Sequence, residues 1–150
     1  MKNIVLDSSA KSIVAFLAAA PATTNPSFTS SYADYTSNSF APGSNDGVLD
    51  GTTQVTLVAA PANGQRVVTA LNIANTDTAA VALTIAYVSS GGTRIIWSGS
   101  LNPGDTWTME HVIDSDGAIK KSGPIGVIWS GTDPAQAMSV APGTVWYQPV

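Results

Sequence analysis

The chain has 150 residues, 44% of them hydrophobic and only 11% charged, against about 25% charged in an average domain. A net charge of −4, with its six Lys and Arg scattered apart from Lys120-Lys121, leaves no basic surface for nucleic acid, and no run nears the ~20 apolar residues of a membrane span. The absence of cysteine excludes disulfides, thiolate metal sites and a thiol nucleophile. So little charge offers little resistance to association. The composition therefore predicts a protein that lives in contact with copies of itself or with partners.

Residues 1–20 predict two strands, around I4-V-L and S12-I-V-A-F-L, joined by the turn D7-S-S-A. Periodicity alone does not separate strand from helix in so short a run as I13-V-A-F-L-A-A-A, but Ile-Val and the neighbouring strands favour strand. The same stretch has the outline of a secretory signal, with Lys11 ahead of apolar and small residues. Asp7 and the apolar run before it are the wrong flanks for one. Residues 21–53 turn polar, punctuated by Pro26, Pro42, Gly43, Gly47 and Gly51. They are expected to hold one strand, S27-F-T-S-S-Y-A-D-Y, and then an extended loop over 37–53 carrying S44-N-D-G.

From Val55 to Lys120 the chain is a succession of short runs rich in Val, Ile, Thr and aromatics: V55-T-L-V, R66-V-V-T-A-L-N-I-A, V81-A-L-T-I-A-Y-V, R94-I-I-W and T106-W-T-M-E-H-V-I. Each is closed by Gly, Pro, Asn or Asp, which supply the backbone angles of tight turns. This pattern predicts an all-β fold, an antiparallel β-sandwich of jelly-roll type, over residues 1–121. Residues 122–150 are expected to form an extended Pro/Gly-rich segment with two short strands, I125-G-V-I-W and A137-M-S-V. It ends in an aromatic arm, T144-V-W-Y-Q-P-V, packing on the domain or on a neighbour.

The equipment of catalysis is sparse. A hydrolytic triad needs Ser, His and an acid converging in space; the single histidine, His111, stands in a strand pattern beside Glu110, and no G-x-S-x-G elbow occurs. D114-S-D-G opens like a calcium loop, but Ala118, Ile119, Lys120 and Lys121 stand where the bidentate Glu belongs. A plain turn is the better account, as it is for S44-N-D-G-V-L-D. No catalytic, cofactor-binding or metal-ligating residue is therefore assigned. Of the four tryptophans, Trp97 and Trp107 lie inside strand patterns, so core packing is expected for at least one of them. Trp129 and Trp146 suit an interface.

Several short pieces recur in order in small β-structured virion proteins of tailed bacteriophages. They are I4-V-L-D, S12-I-V-A-F-L-A, A22-T-T-N, Y32-A-D-Y, P42-G-S-N-D-G, V58-A-A-P-A, R66-V-V, N75-T-D-T-A-A, L101-N-P-G-D and V112-I-D-S-D-G-A-I-K. Over residues 1–121 the chain resembles that family, and the Pro-rich tail departs from it. The resemblance implies a non-enzymatic structural protein on the capsid surface, assembled in the host cytoplasm. It points to a capsid decoration (cement) protein that binds the major capsid protein and copies of itself as a dimer or trimer. Ile4, Leu6, Trp129, Trp146 and Tyr147 are the expected interface residues. Two alternatives stay open: a tail, fibre or adaptor component, and a carbohydrate-binding module touching the host surface.

Overall fold

The computed structural model describes residues 3–120, and its regular structure is eleven strands with no helix among those residues. Seven strands form one sheet: β1 (Ile4–Leu6), β3 (Ser27–Tyr35), β4 (Phe40–Val48), β6 (Gln65–Ala74), β9 (Thr106–Thr108), β10 (Val112–Ile113) and β11 (Ile119–Lys120). Four form the other: β2 (Ser12–Leu17), β5 (Val55–Val58), β7 (Val81–Ser89) and β8 (Gly92–Leu101). The first runs β11-β10-β9-β6-β3-β4, with β1 also paired to β6, and the second runs β5-β2-β7-β8. Every pairing is antiparallel. The antiparallel sandwich expected from the sequence is the fold, divided less evenly than an eight-stranded jelly roll.

Alternation builds the core. Ile13, Ala15 and Leu17 of β2 and Val81, Leu83 and Ile85 of β7 point inward, and meet Phe28, Val68, Leu71, Ile73 and Trp107 from the opposite sheet in one cluster. Each fully buried Leu or Ile contributes about 1.5–3 kcal/mol relative to exposure. Residues 13–17 are strand rather than helix, and period-2 spacing places those three side chains on the buried face; residues 18–20 lie beyond the strand.

Three register shifts break the alternation, opposite Ile13/Val14, Ser31/Tyr32 and Ile85/Ala86. A bulge adds one residue to one strand and reverses the facing of the residues beyond it. In β5 it lets Leu57 and Val58 both be buried. In β6 it lets Val68 and Leu71 both face the core. In β8 the extra residue is Ile96, between Ile95, which pairs with Ala86, and Trp97, which pairs with Ile85.

The extended loop expected over 37–53 is corrected to a strand. β4 pairs with β3 along its full length, from Ser27↔Val48 to Tyr35↔Phe40. It lies at the sheet edge and none of its residues is buried, so burial imposes no apolar period on its sequence, and an edge position tolerates Pro42. Its pairing is secured instead by rings. Gly43 lies opposite Tyr32 and Gly47 opposite Phe28, and a Cβ on either would stand 2.7 Å from the Tyr32 ring or 3.1 Å from the Phe28 ring. The missing side chains let both aromatics lie across β4, as rings cover glycines in sheets.

Candidate functional site

The short pieces that carried the family resemblance meet in space, and they meet as structural stitches. Asp77 of N75-T-D-T reaches the A22-T-T-N loop. Its carboxylate accepts the Thr23 hydroxyl at 2.6 Å and the amides of Ala22 and Thr23 at 2.7 and 2.8 Å, and also the Thr78 amide at 2.8 Å. These donors, the Thr23 hydroxyl foremost, hold the Asp77 carboxyl well below the usual carboxylate range against the opposing effect of burial. Asn75 beside it donates its side-chain amide to the carbonyls of Ala79 and Leu101, at 3.0 and 2.9 Å. Asp105, closing L101-N-P-G-D, accepts the Asn102 amide at 2.7 Å and pairs with Lys120.

Elsewhere Arg66 of R66-V-V grips Asp34 of Y32-A-D-Y through two bonds, Nε to Oδ1 at 2.6 Å and Nη2 to Oδ2 at 2.8 Å. Its guanidinium stacks 3.8 Å above the Tyr32 ring and donates to the Ala59 carbonyl. This fork is the geometry that a guanidinium supplies and an ammonium does not. Arg66 lowers the Asp34 carboxyl below its ordinary value. A further stitch joins the two sheets: the carbonyl of buried Leu57 lies 3.0 Å from the Ser30 hydroxyl and 3.1 Å from the Asn45 side-chain amide.

The residues weighed for chemistry are likewise engaged in turns. His111 sits in the β9–β10 turn rather than within a strand. There Thr108 Oγ1 donates to the His111 carbonyl at 2.8 Å and accepts its amide at 3.1 Å, so that hydroxyl addresses the His111 backbone. Asp114 Oδ1 accepts the amides of Asp116 and Ala118 at 3.0 and 2.8 Å, closing D114-S-D-G as a plain turn. No group of three or more His, Asp or Glu among the described residues is placed to hold a metal ion.

What the surface does offer is an apolar groove of about 450 Å³ where β8 of one sheet overhangs β1, β9 and β10 of the other. Its walls include Ile4, Ile96, Trp97, Trp107, Met109 and Val112, with Glu110 and His111 at the β9–β10 turn. Trp97 and Trp107 face each other across the sheets, ring centroids 6.0 Å apart and planes inclined by 47°, within the range of favourable tilted aromatic pairs. Trp107 is buried, while Trp97 is half-buried and lies against Gly99, whose Cβ would come 2.7 Å from the indole. Beside the groove, Ile95 is 67% exposed and Ile96 40% exposed on β8. The bulge at Ile96 breaks the alternation of β8 at this point, and neither isoleucine is buried.

Of the expected interface residues, Ile4 lines this groove. Leu6 is corrected: it is 0% exposed within the core, its pairing with Arg66 having placed it on the inner face of β1, so it has no surface to offer. Trp129, Trp146 and Tyr147 lie outside the described residues, as do the two strands expected at 125–129 and 137–140. The groove itself went unread in the sequence; its one signal was R94-I-I-W, where paired isoleucines break the alternation of an otherwise regular strand. No protein-family model, curated protein or solved structure matches this chain.

Proposed function

We propose that this protein works by contact, as a capsid decoration protein that binds the major capsid protein of a tailed-phage particle and copies of itself. The observation that carries the proposal is the use to which its motifs are put. Asp34, Arg66, Asn75, Asp77 and Asp105, which lie in the pieces that resemble small virion proteins, are engaged in internal hydrogen bonds and ion pairs. Large apolar side chains are left exposed on several strands, Ile95 and Ile96 of β8 beside the groove and Phe40 and Val48 of β4 among them. A rigid, charge-poor sandwich of this kind suits a role in which buried interface is the product. A protein that binds only the assembled shell shifts the assembly equilibrium toward it, and repetition over a lattice turns weak contacts into avidity.

Stoichiometry in purified particles tests the proposal. Hundreds of copies per particle support decoration, about a dozen would assign the protein to a tail, fibre or adaptor position, and none would overturn a particle role. Deleting residues 142–150 is expected to leave a folded domain that occupies particles less; unchanged occupancy would remove the arm from the interface. Trp97 at the groove also gives a sugar-binding alternative a direct test, since a polysaccharide ligand stacked there would quench its fluorescence on titration.

A further inference from the structure

We propose that Asn63 is a site of spontaneous self-modification, where the amide of Gly64 displaces ammonia from the side chain and the surface gains a carboxylate. Asn63 is exposed in the irregular connection between β5 and β6, and Gly64 follows it. The glycine is demanded by the fold: its φ is +70°, and a Cβ there would stand 2.1 Å from the Tyr35 carbonyl oxygen. With no side chain beside it, the Gly64 nitrogen is open to its neighbour. Among the described residues, no hydrogen bond holds the Asn63 side chain or the Gly64 amide. The loop is anchored on either side of the pair instead. Arg66 donates to the Ala59 carbonyl, Pro61 is buried, and Gln65 pairs with Tyr35.

The reaction needs only the chain and water. The Gly64 nitrogen bonds to the Asn63 side-chain carbonyl carbon and closes a succinimide ring. The bond from that carbon to the side-chain nitrogen breaks, and the NH2 leaves as ammonia with the proton of the Gly64 amide. Water then opens the ring at either carbonyl, giving aspartate or isoaspartate. Each product adds one negative charge to the net −4, and isoaspartate also inserts a methylene into the main chain just before Gly64.

The other asparagines are denied this route. Asn25 and Asn102 precede Pro26 and Pro103, which have no N–H. Asn3 and Asn72 precede Ile4 and Ile73, whose β-branching crowds the nitrogen. Asn75 is buried, with its side-chain nitrogen on two carbonyls and its oxygen on the Asp77 amide. Asn45 lies in β4 with its side-chain amide on the Leu57 carbonyl. Asn38 stands in a turn that Thr36 braces from both Asn38 and Ser39. Asp46, Asp50 and Asp116 also precede glycines, but a carboxylate is a poorer electrophile than a carboxamide. The inference stands apart from any particle role, since it concerns the isolated chain.

The purified full chain, held at mildly alkaline pH and followed by intact mass and peptide mapping, tests this. Asn63 is expected to exchange NH2 for OH at least about tenfold faster than any other asparagine, a barrier lower by about 1.4 kcal/mol. Ammonia should appear in step with converted chains. The product should resolve into two species of equal mass, of which only the isoaspartyl one is labelled by an isoaspartate methyltransferase. In Asn63→Gln, where attack would have to close a larger ring, the early mass change should vanish while the circular dichroism matches the parent. Conversion led by another asparagine, or an early mass change that persists in Asn63→Gln, would overturn the proposal. So would a native chain that stays unmodified while the same chain in urea converts at Asn63, because the fold would then protect the loop. An aspartate product with no isoaspartate would mean that water attacked directly, and would remove Gly64 from the reaction.

Discussion

The stitch between the sheets at Leu57 makes a quantitative forecast. Leu57 is fully buried and its carbonyl faces two donors, the Ser30 hydroxyl and the Asn45 side-chain amide. The Ser30 hydroxyl also lies 3.2 Å from the Asn45 backbone carbonyl, so its one proton has two acceptors to choose between. Ser30→Ala leaves the Asn45 amide on the Leu57 carbonyl, and Asn45→Ala leaves the Ser30 hydroxyl free to turn to it. Each single change should therefore cost only the ordinary net worth of a hydrogen bond, about 1 kcal/mol. The double variant removes both donors and orphans a buried carbonyl, which adds a desolvation penalty of about 1–3 kcal/mol. The double loss should then exceed the sum of the singles by at least about 1 kcal/mol, a coupling typical of groups sharing one partner. Urea unfolding of the four proteins, with equal slopes as a check on cooperativity, measures it. Losses that add within about 0.3 kcal/mol would show that water reaches Leu57, and the junction between the sheets would not be dry.

The other stitches lead to three further outcomes. Asp77 titrates below its unfolded value of ~3.9, so the stabilisation it brings is present above about pH 4 and is lost as pH falls through the folded-state value. Thermal unfolding across pH 3–7 should show that decline in the parent and a flatter profile in Asp77→Asn. Arg66→Lys keeps the charge but loses the fork on Asp34 and the stack on Tyr32, and should cost about 1–2 kcal/mol by denaturant unfolding. Gly43→Val forces the Tyr32 ring off β4 and should cost about 1–3 kcal/mol, with a changed near-ultraviolet dichroism. An unchanged spectrum would mean the ring does not rest there.

The sandwich was legible because its central strands obey alternation. Val81, Leu83 and Ile85 on β7, and Ile13, Ala15 and Leu17 on β2, announce one buried face each. β4 was not legible, since an exposed edge strand owes nothing to burial. Its trace in the sequence is indirect, two glycines four apart that answer two aromatics, Phe28 and Tyr32, also four apart. The stitches were hidden for a different reason. An aspartate at a turn reads as a local cap, as Asp114 proves to be, whereas Asp77 finds Thr23 across a separation of 54 residues. The groove combines both difficulties: a bulge turns Ile95 and Ile96 outward, and no period in the sequence marks which residue will be the extra one.

The inequality of the sheet ends limits how these molecules can join. Among the described residues, β4 carries Pro42 and Asp46, β8 carries Arg94 and the bulge at Ile96, and β5 and β11 have four and two residues. Each described sheet end thus carries a feature that discourages open-ended addition of another strand.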